Sequence, residues 1–226
     1  MFAAEAEGLA ALRAAGVRAP APYAHGLRGD EAFIEMERLD LGGGADWPAL
    51  ARMLAALHRN TSDRFGWADD NWIGLSPQKN AWSDDWPAFY GEFRLKPQFE
   101  RAGLLGDGSF LLVRLNAFFE NYKPIPSLLH GDLWNGNVGF TAQGPAFFDP
   151  AVYYGDREAD LAMTELFGGF PDAFYFSYRQ LFPLAPGYEI RKHLYNLYHL
   201  LNHLNLFGSG YLGRVQATLR LLLQSL

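Results

Sequence analysis

The feature that most constrains this chain is a polar octapeptide followed by two short segments with strand character. The octapeptide, residues 130–137, reads HGDLWNGN and comes directly after the apolar pair 128–129. The two segments that follow are 137–140 and 145–149, and the residues between them, 141–144, are typical of a hairpin turn. The sequence therefore predicts a loop that leads straight into a small antiparallel hairpin.

Three side chains of this region have the chemistry that phosphoryl transfer requires. Asp132 and Asn137 are five residues apart, which is the spacing of Asp and Asn in a kinase catalytic loop. Antiparallel pairing puts the start of one strand beside the end of the next, so Asn137 and Asp149 are expected to meet below Asp132. Amide and carboxylate oxygens suit Mg²⁺, and Asp132 would accept a hydroxyl proton. The alternative is that all three are ordinary turn residues.

Composition excludes several classes of protein. The 226 residues include 25 acidic and 19 basic side chains, and a net charge of −6 argues against a nucleic-acid-binding role. The absence of cysteine excludes a disulfide scaffold, a cysteine nucleophile and a thiolate metal site. No apolar run approaches the roughly 20 residues that span a bilayer, and the first residues lack the pattern of a secretory signal. A soluble cytoplasmic protein with no membrane partner is expected.

The order of predicted elements indicates an α+β chain with a small first part. A helix is predicted over 3–15, followed by two strands near 23–27 and 32–37 and a glycine-rich break at 42–44. Helices dominate from Asp46 onward. The later helices are predicted over 85–101, 109–122, 190–204 and 215–223.

The octapeptide resembles the signature of the fructosamine/ketosamine-3-kinase family, which belongs to the aminoglycoside-phosphotransferase-like kinases. The resemblance covers nearly the whole chain and continues in Asn71-Trp72-Ile73-Gly74, Pro77-Gln78-Lys79-Asn80, Tyr154-Gly155-Asp156-Arg157-Glu158 and Phe167-Gly168-Gly169-Phe170. It implies a protein-kinase-like α+β fold with a truncated N-terminal lobe and a mainly helical C-terminal lobe. The first would be residues 1–41, with a helix, two strands and a hinge. The second would be residues 42–226, with the catalytic loop and a metal-binding hairpin.

The resemblance also implies an activity. It implies ATP-dependent phosphorylation of a sugar hydroxyl on a ketosamine, the rearranged adduct of a sugar and an amine, of fructosamine or ribulosamine type. The role would be deglycation, with ATP and Mg²⁺ as cofactors and a small-molecule or protein-bound ketosamine as substrate. Asp132 is the implied catalytic base, and Asn137 and Asp149 are the implied metal ligands. The sequence leaves the oligomeric state open.

The nucleotide-binding residues are implied by the same resemblance. Residues 2–9 resemble the helix whose glutamate pairs with a phosphate-binding lysine, and this glutamate would be Glu5. Residues 32–39 resemble the strand and hinge that hold adenine, which suggests Met36, Glu37 and Leu39. A plain edge strand is the alternative for this segment.

Three further residues are predicted to bind the substrate. Trp134 lies beside the implied base, where its ring would pack on a sugar, and core packing is the alternative. His130 precedes the base in the same octapeptide. Asp156 is predicted to face the substrate, and ion pairs that tie the loop down are the alternative.

The chain departs from the kinase pattern at its start. No glycine-rich strand pair precedes the first helix, and no lysine precedes Lys79. Two interpretations are open: a start codon further upstream, or a truncated protein with weak ATP turnover. Besides a ketosamine kinase, the sequence therefore allows a kinase for another small hydroxylated metabolite, such as an aminoglycoside, or a non-catalytic nucleotide-binding remnant.

Two other patterns are interpreted as structural. Residues 208–213 match G-x-G-x-x-G but follow a helix, which predicts a turn between helices. His199 and His203 have a spacing that occurs in zinc sites. Without a third ligand, they are predicted to be ordinary histidines on a helix face.

Overall fold

The first part of the chain is a helix packed on a two-stranded sheet. The computed structural model describes residues 1–226. Helix α1 spans Phe2–Ala14, and strands β1 (Pro22–Arg28) and β2 (Glu31–Met36) pair antiparallel. A turn with Gly29 at a φ of 64° joins the strands. The predicted helix and hairpin are confirmed.

Helix α2 opens the larger part and starts where its sequence signals indicate. It spans Trp47–His58, and Asp46 caps it by accepting a hydrogen bond of 2.8 Å from the backbone N–H of Ala49. Beyond α2, the short strands β3 (Asn71–Ile73) and β4 (Ser76–Gln78) form a second hairpin. The sequence did not predict this hairpin, although it faces the candidate site described below.

The helices predicted over 85–101 and 109–122 are both interrupted. The first consists of α3 (Trp86–Tyr90), a π-helical turn (Gly91–Leu95) and α4 (Lys96–Arg101). The second consists of α5 (Leu105–Val113) and a 3₁₀ turn (Leu115–Phe119).

The π-helical turn carries a buried arginine. The guanidinium of Arg94 donates to the carbonyl oxygen of Lys79 and to Oδ1 of Asn80, both at 2.7 Å, and it lies over the ring of Tyr153. These partners lie far along the chain from Arg94, so local periodicity does not reveal the break.

Two small sheets position the octapeptide. Strand β5 (Ser127–Leu129) precedes it, and β6 (Val138–Thr141) and β7 (Gly144–Phe147) follow it as the predicted hairpin, with Val138 opposite Phe147. Strand β8 (Tyr153–Gly155) pairs antiparallel with β5.

The remainder of the chain is helical. It comprises α6 (Glu158–Leu166), α7 (Asp172–Leu181), α8 (Tyr188–Phe207) and α9 (Leu212–Gln224). Gly208 ends α8 and a 3₁₀ turn leads into α9, which confirms the predicted turn at 208–213. None of the helices is both long enough and apolar enough to span a bilayer.

Two hydrophobic cores meet at the start of the octapeptide. One contains 24 buried residues around Trp86 and packs α3–α5 against α8 and α9, and the other contains 18 and packs α1 and α2 against α7. Leu128 belongs to the second core and Leu129 to the first, because successive strand residues face opposite sides. The octapeptide therefore leaves a strand that is fixed on both faces.

Candidate active site

The loop after β5 is held by one buried carboxylate. Asp160, on α6, accepts hydrogen bonds from the backbone N–H groups of His130 and Gly131, at 2.7 and 2.9 Å. Gly131 has a φ of 85°, and a Cβ there would lie 2.0 Å from the carbonyl oxygen of Ala151. No other residue fits this position, so the loop packs directly on the backbone that follows Asp149.

A buried histidine completes the anchor of the loop. Nε2 of His58 lies 3.1 Å from Oδ2 of Asp160, and Nδ1 lies 2.7 Å from the hydroxyl of Tyr178. Burial alone would raise the pKa of Asp160, but the hydrogen bonds from His58 and from the loop outweigh it, so the pKa lies below its usual value. Asp160 is therefore ionised, and the network assigns the proton of His58 to Nε2.

Asp132 projects into a cavity beside Asn137. Nδ2 of Asn137 donates to the backbone oxygen of Asp132 at 2.8 Å and approaches Oδ2 at 3.4 Å. Burial, together with the negative charges of Asp149 and Asp160, raises the pKa of Asp132 to about 7. A carboxylate with this pKa is matched to proton transfer near neutral pH.

Asp149 stands at the far end of the hairpin, as the strand pairing predicts. The backbone N–H of Phe148 donates to the carbonyl oxygen of Asn137 at 3.0 Å and extends the β6–β7 ladder by one step. Asp149 has a φ of 46°, which is uncommon for a residue with a side chain. The turn out of the ladder exposes the carboxylate to the cavity next to Asn137.

Helix α1 brings Glu5 to the same cavity. A Cβ at Gly8 would lie 3.0 Å from Cγ of Pro150, so α1 packs closely on the segment after Asp149. Burial and the charge of Asp149 raise the pKa of Glu5. The carboxylates of Glu5 and Asp149 thus line the same cavity and act on each other electrostatically.

The cavity has a volume of about 360 Å³ and unites five of the predicted site residues. These five are Glu5, Asp132, Trp134, Asn137 and Asp149. Sequence reasoning named the next contributors only as part of the family resemblance, without a role at the site. They are Asn71, Trp72 and Gly74 of the β3–β4 hairpin, and Leu75 at its tip is a further contributor that the sequence did not single out.

The β3–β4 hairpin supports the backbone after Asp149 through two buried amides. Nδ2 of Asn71 donates to the carbonyl oxygen of Val152 at 2.7 Å, and Nε2 of Gln78 donates to that of Ala151 at 3.2 Å. Tyr198 of α8 donates to Oε1 of Gln78 at 2.8 Å. The inward-facing positions of β3 and β4 thus include polar residues. The usual alternation of apolar and polar residues along a strand does not predict this arrangement.

The three residues predicted at the adenine site lie apart from this cavity, at and after the end of β2. The side chain of Met36 packs on the second core. The backbone N–H of Glu37 donates to the carbonyl oxygen of Ala21 at 2.8 Å, and the Glu37 carboxylate accepts a hydrogen bond from the backbone N–H of Ala21. The carbonyl of Glu37 and the N–H of Leu39 make no hydrogen bond within the chain. These two backbone groups are therefore free to bond to a ligand.

The structure argues against two predicted substrate contacts. His130 is 0% exposed, its Nε2 donates to the carbonyl oxygen of Phe148 at 2.8 Å, and its Nδ1 accepts the N–H of Asp132. Asp156 is 1% exposed and accepts hydrogen bonds from the hydroxyls of Tyr122 and Tyr195. Both side chains have their polar atoms committed inside the protein, so they support the loop and the core.

Known proteins resemble this chain over most of its length. The family model "Fructosamine kinase" matches residues 1–225. A "Probable ketoamine kinase" of Synechocystis sp. is 46% identical over 97% of this chain and 78% of its own length. A "Protein-ribulosamine 3-kinase, chloroplastic" of Arabidopsis thaliana is 43% identical over 93% of this chain and 68% of its own.

Solved structures share the fold. The crystal structure of a "Putative fructosamine-3-kinase" from Haemophilus somnus superposes with a TM-score of 0.91 at 31% identity, and covers 99% of this chain and 79% of that one. An aminoglycoside-3'-phosphotransferase of type VIII superposes at 0.52 with 18% identity over 86% of this chain and 78% of that one, which shows the same protein-kinase-like fold. The chain belongs to the fructosamine kinase family.

Proposed function

We propose that this chain is an ATP-dependent kinase that phosphorylates a hydroxyl of a ketosamine, of fructosamine or ribulosamine type. The observation that carries the proposal is the meeting of Asp132, Asn137 and Asp149 at one cavity in a member of this family. The names of the relatives point to the hydroxyl at C3. We expect the enzyme to act in the cytoplasm.

Asp132 is the proposed base. A new bond forms between the substrate hydroxyl oxygen and the γ-phosphorus, the bond from that phosphorus to the β,γ-bridging oxygen breaks, and ADP leaves. The hydroxyl proton passes to Asp132. Its pKa of about 7 allows it to accept a proton near neutral pH, and the anchored loop fixes its position.

Asn137 and Asp149 suit a hard divalent cation, which we propose to be Mg²⁺. Nδ2 of Asn137 is occupied by Asp132, which leaves Oδ1 for a cation, and the Asp149 carboxylate is exposed to the cavity. No group of three or more His, Cys, Asp or Glu residues is arranged to hold a metal. Mg²⁺ commonly takes one or two protein oxygens and completes its shell with water and phosphate oxygens. When bound, it would neutralise charge on the phosphates.

The remaining predicted residues are assigned either to binding of the nucleotide or to binding of the acceptor sugar. Glu5 is proposed to belong to the nucleotide site, as the glutamate that pairs with a phosphate-binding lysine in kinases of this type. Glu37 and Leu39 are proposed to contact adenine through backbone groups. Trp134 is 39% exposed at the cavity, so its ring face is free to pack on the acceptor sugar.

Two other functions have less support. A kinase for aminoglycoside-like compounds would rest on a shared fold alone, which does not establish a substrate. A non-catalytic remnant would not need a carboxylate whose pKa is tuned to neutrality beside two hard oxygen ligands.

The test is a direct measurement of phosphate transfer. The protein with Mg²⁺ and ATP is incubated with a fructosamine of lysine, a ribulosamine of lysine or an aminoglycoside, and products are identified by mass spectrometry and phosphorus NMR. Phosphorylation of the ketosamines, abolished in Asp132→Asn, is expected. Phosphorylation of the aminoglycoside alone, or no turnover by the wild-type protein, would refute the proposal.

A further inference from the structure

Helix α8 carries a buried histidine with an unpaired ring nitrogen behind Asp132, one of the residues that line the cavity. His199 is 5% exposed, and its Nδ1 has no hydrogen-bond partner in the protein. Buried polar atoms are nearly always paired, because a buried donor or acceptor without a partner has lost the hydrogen bonds that it makes in water. Tyr195 and Tyr198 of this helix follow the rule, since they donate to Asp156 and Gln78, whereas Oδ1 of Asn196 is unpaired as well. The exception at His199 needs a physical explanation.

The unpaired atom lies against the proposed base. Nδ1 of His199 is 4.0 Å from Oδ1 of Asp132, and the two side chains are 6% and 18% exposed. This is too long for a direct hydrogen bond. It is short enough for ligand oxygens to bond to both atoms, because each such bond is about 2.8 Å long.

The charge state of His199 suits a hydroxyl ligand. Burial lowers the pKa of His199 to about 3, so the ring is neutral at physiological pH. A neutral imidazole has one donor and one acceptor nitrogen, and a hydroxyl can serve as the partner of either. Asp132 and His199 therefore do not satisfy each other as an ion pair, and Nδ1 of His199 is left without a partner in the protein.

We propose that His199 is an acceptor-binding residue whose Nδ1 hydrogen-bonds the sugar hydroxyl next to the one that is phosphorylated. This rests on the proposed function, in which Asp132 receives the proton of the C3 hydroxyl. That hydroxyl has one proton, which goes to Asp132, and one of its two lone pairs is directed at phosphorus, so the neighbouring hydroxyl is the freer partner for His199. The neighbouring C4 hydroxyl lies about one hydrogen-bond length away from it, and it fits the 4.0 Å spacing.

The experiment compares two substrates and four proteins. Steady-state kcat/KM is measured for a fructosamine of lysine and for its 4-deoxy analogue. The proteins are the wild type, His199→Leu, His199→Asn and His193→Leu. His199→Asn is included because Asn places a polar atom near the position of Nδ1. His193→Leu is the matched control, because His193 is a half-buried histidine on the same helix, beside Lys192 and Glu189.

The expected result is a loss that depends on the C4 hydroxyl. His199→Leu should lower kcat/KM about ten- to a hundredfold on the full substrate and less than about twofold on the 4-deoxy analogue. His199→Asn should recover part of the loss, His193→Leu should behave as the wild type, and the KM for ATP should not change. Equal losses on both substrates would overturn the proposal.

A stability measurement separates this role from a structural one. His199→Leu removes a buried unpaired atom, so its melting temperature without substrate should equal or exceed that of the wild type. A lower melting temperature together with equal losses on both substrates would make His199 a packing residue. If the wild-type protein does not phosphorylate the full substrate, the proposed function itself fails, and this inference fails with it.

Discussion

Nε2 of His58 lies 3.1 Å from Oδ2 of Asp160, and both side chains are buried. The same carboxylate holds the backbone of His130 and Gly131, so helices α2 and α6 together fix the loop that carries Asp132. The position of the proposed base thus depends on a hydrogen bond between two side chains that are 102 residues apart in the sequence.

Asp160→Asn should weaken both the fold and the site. The Asp160 carboxylate now accepts hydrogen bonds from His58 and from the backbone N–H groups of His130 and Gly131. In the variant, the amide N–H₂ group would face one of these donors, which would lose its partner. We expect a loss of about 2–4 kcal/mol in the free energy of unfolding and a fall in kcat of at least tenfold. Urea denaturation and steady-state kinetics measure these quantities. Glu100→Gln, on the exposed side of α4, is the control, and an unchanged stability in Asp160→Asn would contradict the anchoring role.

Asp132→Asn should abolish activity and stabilise the metal-free protein. The folded-state pKa of Asp132 is raised to about 7, so the folded protein disfavours the charged form more than the unfolded chain does. The stability gain of the variant should therefore be absent near pH 4, grow as pH rises towards 7 and stay constant above it, at about 4 kcal/mol. Urea denaturation in a chelator at pH 4.5 and pH 8 tests the sign. A variant less stable than the wild type at pH 8 would contradict it.

Asp149→Asn should raise the Mg²⁺ concentration needed for half-maximal activity. Asn tolerates the positive φ of 46° at this position, so the backbone is kept while one negative charge is lost. We expect at least a tenfold shift of the Mg²⁺ titration with a small change in melting temperature. Asp172→Asn, an exposed acid on α7, serves as control. An unchanged Mg²⁺ titration in Asp149→Asn would exclude it as a ligand.

Gly136→Ala should displace the ring of Trp134. A Cβ at Gly136 would lie 2.4 Å from Cζ2 of Trp134, while the backbone there does not require glycine. If the ring packs on the acceptor sugar, Gly136→Ala and Trp134→Ala should both raise the KM for the ketosamine, by about five- to fiftyfold, and leave the KM for ATP unchanged. Gly213→Ala, at a position with open space, is the matched control. An unaltered ketosamine KM in both variants would remove Trp134 from the acceptor site.

The sequence predicts well what local rules determine. The pairing of Val138 with Phe147 follows from a turn between two short segments, and it brings Asn137 beside Asp149 without any long-range information. Helix α2 begins at its capping residue for the same reason, since Asp46 bonds a residue three positions away.

The parts that sequence reasoning missed depend on buried polar groups. His58, Asp160 and His199 are buried, whereas hydrophobic periodicity assigns such residues to a solvent-facing side. The π-helical turn at 91–95 and the inward amides of the β3–β4 hairpin are fixed by partners distant in sequence. His130 and Asp156 were expected at the substrate for their proximity to Asp132 and Asp149, and burial shows that closeness along the chain is not exposure at the cavity.

The β3–β4 hairpin has a buried side that supports the site and an exposed tip beside the cavity. Its inward amides, Asn71 and Gln78, hold the backbone after the proposed metal carboxylate, while Leu75 at its tip is 68% exposed beside the cavity. Substitutions at the tip can therefore change which acceptors are admitted without disturbing the groups that carry out transfer. A directed-evolution library for new acceptors should therefore begin at Leu75.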